Sequence, residues 1–197
     1  MKINIAVAFS KNYGIGFKNN LPWSHLKEDM RLFSKRTIGS GNNAVIMGKN
    51  TWLSIPECRR PLKNRTNIVI SSSSSSSLSL AGNPHVFSSI NDAVSFCECE
   101  PAKYDELWVI GGSRMYDDFL NTYYNKLNRV YITCVSGDYE CDTFIHFSAA
   151  NYCVEKEEYN SEERCHYLTC IHIDHKDNDA NYNYNTLETT LKKLYYL

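Results

Sequence analysis

The sequence predicts an α/β protein built on a mostly parallel sheet with an antiparallel end. Three observations predict it. Apolar runs of strand length alternate with segments of helical periodicity along most of the chain. Glycine-bearing turns sit where several of those runs pass into helices. Two late strand-like runs, "YCVEKEEY" and "HYLTCIHID", are separated by charge and read as an antiparallel pair.

Taken in order, Lys2–Phe9 alternates Ile3, Ile5 and Val7 with smaller residues and reads as a strand. Its apolar stretch is too short for a signal peptide. The loop "SKNYGIGFKNNLPW" follows. "SHLKEDMRLFSKRT" places Leu26, Met30 and Phe33 at i, i+4 and i+7, which predicts a helix with Ser24 as its N-cap. "NAVIMG" reads as a buried strand, "KNTWLSIP" as a short helix stopped near Pro56, and "RTNIVIS" as another strand. "HVF" is a short strand. "SSINDAVSFCE" sets Ile90, Ala93, Val94 and Cys97 on one face, and Asp92 three residues after Ser89 marks a helix start. "ELWVIGG" is a strand, "SRMYDDFLNTYY" a helix and "RVYITCV" a strand.

A run of seven serines, Ser71–Ser77, follows "NIVI". The elements on either side share one strand–helix rhythm, and neither side alone has enough of them for a doubly wound domain. The run therefore belongs to a single fold. Its middle is expected to be mobile, and its first residues lie at the carboxyl end of a strand, where open α/β sheets bind ligands.

With 197 residues, 43% hydrophobic and 22% charged, the chain has the composition of an ordinary globular domain. A net charge of −1 gives no electrostatic case for nucleic acid or an anionic membrane. No apolar run approaches the roughly 20 residues that span a bilayer. Eight cysteines without a signal peptide read as free thiols in the cytoplasm. Cys97 and Cys99 lack a matching second pair, and the histidines form no ligand pattern, so no metal site is expected. The domain is expected over 1–174. Residues 175–197 form a polar tail, "HKDNDANYNYN", and then a segment with Leu187, Leu191 and Leu194 on one helical face. That segment could dock on its own domain, pair between chains, or begin a linker. A monomer is expected unless it mediates association.

Four stretches carry chemistry. Asp29 lies on the apolar stripe between Leu26 and Phe33. It is either a solvated acid at the helix edge or a buried acid that grips a cationic or amidine-like ligand. "GIGFKNNLPW" offers Gly14 and Gly16 for close backbone approach to a ligand, and its Pro22 and Trp23 lead into the Asp29 helix. "VIGGSRMY" joins a strand to a helix through Gly111 and Gly112, which suits a diphosphate but is not the Rossmann fingerprint. "IMGKNTWLSIPECRRPLKNR" holds Gly48, Lys49 and Thr51 at a strand-to-helix turn. Arg59, Arg60, Lys63 and Arg65 follow, as a solvated basic loop or a carboxylate site.

The motifs "GIGFKNNLPW", "VIMGKNTWLSIP", "RPLKNR", "VIGGSRMY" and "CDTF" together resemble the dihydrofolate reductase family in order and spacing, over roughly residues 2–174. The resemblance implies a twisted, mainly parallel eight-stranded sheet with an antiparallel C-terminal strand and about four helices. It implies NADPH-dependent reduction of 7,8-dihydrofolate to tetrahydrofolate, in support of one-carbon metabolism and thymidylate synthesis. Some family members are fused to thymidylate synthase, of which nothing is visible here. Asp29 would bond the pterin N3 and 2-amino group, Thr133 would bond the same carboxylate, and Trp23 would hold a water. Met30, Phe33, Ile55 and Leu62 would wall the substrate, and Arg65 would bind its glutamate α-carboxylate. The Ala6 and Ile110 carbonyls would complete the pterin contacts, with Tyr116 at the back.

For the cofactor, Ala8 and Ile15 would meet the nicotinamide. Lys49, Asn50 and Thr51 would lie along the diphosphate and 2′-phosphate, and Gly112, Ser113, Arg114 and Met115 would wrap the diphosphate. Ser71 and Ser72 match the 2′-phosphate site, where many members carry an Arg. Ser72 and Ser88 leave Lys49 as the main cation there. The Gly111–Gly112 bond is expected to be cis, and the loop Gly14–Trp23 is expected to close over the nicotinamide. "DTFIH" replaces the usual Asp-Thr-Phe-Phe-Pro, and Asp29 stands where animal members carry Glu. The related pyrimidine reductase of riboflavin synthesis is disfavoured by "LPW" and the Asp29 helix. A nucleotide binder without catalysis is disfavoured by Asp29, Trp23 and Thr133.

Overall fold

The computed structural model describes residues 1–72, 81–100, 103–175 and 185–196. The serine run beyond Ser72 and residues 176–184, where mobility and disorder were expected from composition, lie outside the described residues. In chain order the elements are β1 (Lys2–Phe9), β2 (Gly14–Gly16), α1 (Lys27–Ile38), β3 (Ala44–Gly48), α2 (Lys49–Ser54), β4 (Thr66–Ile70), β5 (His85–Phe87), α3 (Ile90–Glu98), β6 (Glu106–Val109), α4 (Ser113–Asn121), β7 (Leu127–Val135), β8 (Thr143–Phe144), β9 (Tyr152–Asn160), β10 (Cys165–His172) and α5 (Leu187–Tyr196).

Eight strands form one sheet in the order β5-β4-β3-β6-β1-β7-β10-β9. The ladders from β5 through β7 are parallel, and β10 runs antiparallel to both β7 and β9. The sheet is the mostly parallel one with an antiparallel end that the sequence predicts. Parallel strands need both faces covered, which is why "NAVIMG", "TNIVI" and "ELWV" read as continuous apolar runs. On one face Ile3, Ile5, Val7 and Phe9 pack with α3, α4 and α5. On the other, Val45, Met47, Val69 and Trp108 enclose Trp52 of α2. Farther along that face Trp23, Val135, Cys165 and Tyr167 pack with Leu26 and Leu32 from the α1 region. Each such fully buried large side chain contributes about 1.5–3 kcal/mol.

Alternation explains the division between faces. Successive residues of β1 point to opposite sides, so Ile3, Ile5 and Val7 join one layer while Ala6 and Ala8 meet the other. The small alanines leave room on the α1–α2 side. The carboxyl ends of β1, β3, β4 and β6 emerge at one edge of the sheet, where the loops bearing the chemical motifs begin.

One feature goes beyond the sequence reading, and a second decides among the alternatives it left open for the C-terminal segment. A small second sheet pairs Gly14 with Phe144 and Gly16 with Thr143, which ties the first loop to the "CDTF" segment. The Lys18 N–H also donates to Asp142 Oδ2 at 2.7 Å. Besides four helices that flank the sheet, α5 packs back onto it. Leu187 and Leu191 are buried there, the Val154 N–H donates to the Asn185 carbonyl at 3.0 Å, and the Tyr195 hydroxyl donates to the Phe9 carbonyl at 3.2 Å. All eight cysteines are free thiols. Among the described residues no helix is long and apolar enough to cross a membrane, and no cluster of His, Cys, Asp or Glu could hold a metal ion.

Candidate active site

Asp29 is the third residue of α1 and is only 8% exposed. Of its two readings, the buried acid is the one present. Thr133 Oγ1, on β7, donates to Asp29 Oδ1 at 2.7 Å. Burial pushes the Asp29 carboxyl above its ordinary range, the Thr133 hydrogen bond pulls it down, the Glu163 charge raises it and Arg36 lowers it. With one side-chain donor among the described residues, the carboxylate keeps acceptor capacity for a ligand with adjacent N–H donors.

The helix that carries Asp29 starts later than the sequence predicts. Ser24 is not its N-cap. Leu26 occupies that position and gives no side-chain hydrogen bond. The free amides of the first turn are met from far along the chain, by Glu163, whose Oε1 accepts the Glu28 N–H at 2.6 Å and whose Oε2 accepts the Asp29 N–H at 3.1 Å. With an external carboxylate capping the first turn, the chain from Ser24 to Leu26 need not be helical.

Around Asp29, Trp23 is buried against Val135, Cys165 and Tyr167, and its ring meets the edge of Tyr139 at 5.7 Å. Ala8 is the ladder partner of Thr133 across β1 and β7. The Tyr116 hydroxyl donates to the Ala6 carbonyl at 2.9 Å, which leaves that oxygen a second lone pair. Burial and the Asp29 charge push the Tyr116 phenol far above its ordinary value, so it stays a neutral donor. Ala6, Met30, Phe33, Ile55, Leu62 and Ile110 are all half-buried, so each keeps surface that a ligand could cover. The Ile110 N–H is taken by the Ile46 carbonyl at 3.0 Å.

Arg65 is tied to α1 and to its own loop. Its Nη1 donates to Thr37 Oγ1 at 2.8 Å, its Nε donates to the Lys63 carbonyl at 3.0 Å, and its guanidinium lies 5.9 Å from the Phe33 ring centre. Arg60 of the same stretch lies instead 5.9 Å over the Trp52 ring. Asn67 shapes this loop and was missed in the sequence. Its Oδ1 accepts the Leu62 N–H at 2.9 Å, and its Nδ2 donates to the Leu62 and Arg65 carbonyls at 2.9 and 2.8 Å. The available signal was an Asn inside the apolar run "TNIVI", since a buried amide in a strand needs partners.

The two glycine turns come together. The Gly48 N–H donates to the Gly111 carbonyl at 2.8 Å. Gly111 has φ +117° and its bond to Gly112 is cis, as the resemblance implied. A Cβ on Gly112 would lie 3.1 Å from Thr51 Oγ1, tighter than side chains usually pack, whereas one on Gly48 would meet only ordinary contacts, the nearest at 3.7 Å. No side chain caps α4, whose first residues are Ser113, Arg114 and Met115. Lys49 is half-buried, Asn50 exposed and Arg114 exposed. This glycine cradle with an uncapped helix start and nearby cations fits a diphosphate. Gly14 lies against Cys141, Ile15 is half-buried and packs against the apolar layer behind β1, and Gly16 lies against Thr143. Ser71 is buried with its N–H on the Phe87 carbonyl at 2.9 Å, whereas Ser72 is exposed.

Comparison with known proteins places these features in a family. Residues 2–176 match the model of the family described as dihydrofolate reductase. The chain is 41% identical over 152 residues to the viral dihydrofolate reductase of Saimiriine herpesvirus 2 (strain 488), covering 72% of this chain and 67% of that protein. It is 39% identical over 149 residues to the dihydrofolate reductase of Schistosoma mansoni, covering 73% and 77%. To that of Gallus gallus it is 36% identical over 148 residues, covering 72% and 76%.

Proposed function

The chain belongs to the dihydrofolate reductase family and reduces dihydrofolate to tetrahydrofolate with a nicotinamide cofactor, and on that premise we propose that NADPH is the cofactor and that Asp29 is the acid that binds the pterin. The observation that carries the reading is the buried Asp29 carboxylate held by Thr133, with half-buried Met30 and Phe33 on the same helix. Two amide-like donors of a pterin, N3–H and the 2-amino group, match the acceptor capacity that remains on that carboxylate.

The cofactor supplies the hydride that reaches C6 of the substrate. The chain's own residues do the rest. Asp29 fixes the pterin ring and, by its charge, favours the protonated form of the substrate. Water carries the proton to N5, since Asp29 binds the opposite edge of the ring, and Trp23 holds that water beside the site. Met30, Phe33, Ile55 and Leu62 hold the flat and aromatic parts, Arg65 binds the glutamate α-carboxylate, and the Ala6 and Ile110 carbonyls with Tyr116 complete the ring pocket. Orienting the two reactants this way is worth up to roughly 7–11 kcal/mol. The loop from Gly14 to Trp23 excludes water when closed.

For the cofactor, Gly111–Met115 and Lys49–Thr51 would hold the diphosphate. Lys49 and Ser72 would meet the 2′-phosphate. Ser71 would act by holding Ser72 in place, because its side chain is buried and its N–H is donated to the Phe87 carbonyl. The eight free thiols support a reducing compartment such as the cytoplasm, with α5 as part of a monomer.

The test is steady-state NADPH oxidation with and without dihydrofolate, repeated with NADH. Oxidation that requires dihydrofolate and prefers NADPH is expected. Lys49→Ala and Ser72→Ala should raise the Kd for NADPH and leave that for NADH nearly unchanged. Equal losses for both cofactors would remove these two residues from the phosphate site.

A further inference from the structure

We propose that Glu163, in the turn between β9 and β10, is a positioning residue for the reduction: it caps α1 from outside and so fixes where the Asp29 carboxylate sits and how firmly it holds its charge. The inference rests on the reading of Asp29 as the pterin-binding acid.

The geometry is a closed chain of contacts. One Glu163 carboxylate bridges two successive amides of α1, Glu28 N–H at 2.6 Å and Asp29 N–H at 3.1 Å. The Tyr167 hydroxyl donates to the same Oε2 at 3.0 Å. Tyr167 is the ladder partner of Thr133, and Thr133 donates to the Asp29 side chain at 2.7 Å. Asp29 is thus held at its main chain by Glu163 and at its carboxylate by Thr133, and the two holders are joined through β7 and β10. The turn itself is fixed: the Glu163 N–H donates to Asn160 Oδ1 at 3.0 Å, and Cys165 Sγ donates to the Glu163 carbonyl at 3.2 Å. Since α1 has no cap of its own, this external carboxylate is what orders the turn that presents Asp29.

The electrostatics point the same way. Among the groups that face Asp29, Tyr116 on α4 and Cys165 on β10 are pushed above their ordinary values by burial and the Asp29 charge, Cys165 to about 12, and Tyr167 on β10 by burial, its bond to Glu163 and the Glu163 and Asp29 charges. They are neutral at pH 7. Glu28, on the same turn as Asp29, is paired with Arg31 at 2.6 Å and points to solvent. The charges that act on Asp29 are therefore Glu163, which raises its carboxyl, and Arg36, which lowers it.

The test is single-turnover hydride transfer with saturating NADPH and dihydrofolate, followed against pH. Rates are normalised to active sites titrated with cofactor, so any unfolded fraction drops out. Glu163→Gln removes a negative charge beside the site, which lowers the proton affinity of the Asp29–substrate pair. The midpoint of its profile should move down by about 0.3–1 unit, and the rate above the midpoint should fall about 2–10-fold. Glu163→Asp keeps the charge but is too short to bridge both amides. It should keep the wild-type midpoint and lose rate. A Glu163→Gln enzyme with the wild-type profile and rate, whatever its Tm, would make Glu163 a structural cap only and overturn the proposal. If Glu163→Gln does not fold, Glu163→Asp decides: a wild-type rate, or a displaced midpoint, overturns it equally. Asp29→Asn is run alongside. If that variant transfers hydride normally at pH 7, the underlying site reading fails instead, and the two failures are told apart.

Discussion

Burial raises the Asp29 carboxyl above its ordinary range, so the folded protein binds a proton there more tightly than the unfolded chain does. The stabilising share of that proton is complete below the ordinary carboxyl value of 3.8 and is lost as pH rises through the raised folded value. Asp29→Asn keeps the shape without the charge. It should therefore raise Tm at pH 7, and the gain should vanish below about pH 4 in thermal melts followed across pH. A variant that melts lower at pH 7 would mean that the Thr133 hydrogen bond outweighs desolvation. Arg65 is tested differently, because only the substrate brings a carboxylate to it. Arg65→Leu should weaken dihydrofolate by about 2–5 kcal/mol and leave NADPH nearly unchanged in binding titrations. Asp29 was legible in the sequence because an acid interrupts an apolar stripe at helical spacing. Glu163 was not, because it acts across 134 residues from an exposed turn whose local pattern says nothing of its partner.

At the scale of elements, periodicity located the strands and most helices, since each must bury one face. It misplaced the start of α1 because Ser24 looked like a cap while the capping group lay elsewhere. It gave no sign of β2 and β8, which span three and two residues and carry no period to read. The α5 stripe was visible, but its docking was not, since an apolar stripe does not name what covers it. In the fold, Leu191 is 4% exposed and packs in the layer behind β1, while Tyr195 reaches the Phe9 carbonyl at the root of the first loop. Leu191→Ala should cost about 2–5 kcal/mol in denaturant unfolding. An unchanged midpoint would mean that α5 adds nothing to the stability of the sheet.

For the whole molecule, the sheet class followed from strands alternating with helices, whereas the strand order did not. Pattern alone cannot say that β1 lies between β6 and β7. The resemblance of five motifs in register implied the fold, and the turn at Gly111 and Gly112 shows where it needs glycine, by the φ of the first and the approach of Thr51 to the second. The proposed acid and cofactor cradle lie near the carboxyl edge of the parallel strands, so one sheet would align two ligands. The central claim is that this alignment works through the Asp29 charge. Stopped-flow hydride transfer by Asp29→Asn, compared with the wild type at pH 7 and at pH 5, tests it most directly. The account predicts a loss of about 100-fold or more at pH 7 that shrinks at pH 5, where the substrate brings its own proton. A mutant rate near the wild type at pH 7 would contradict it.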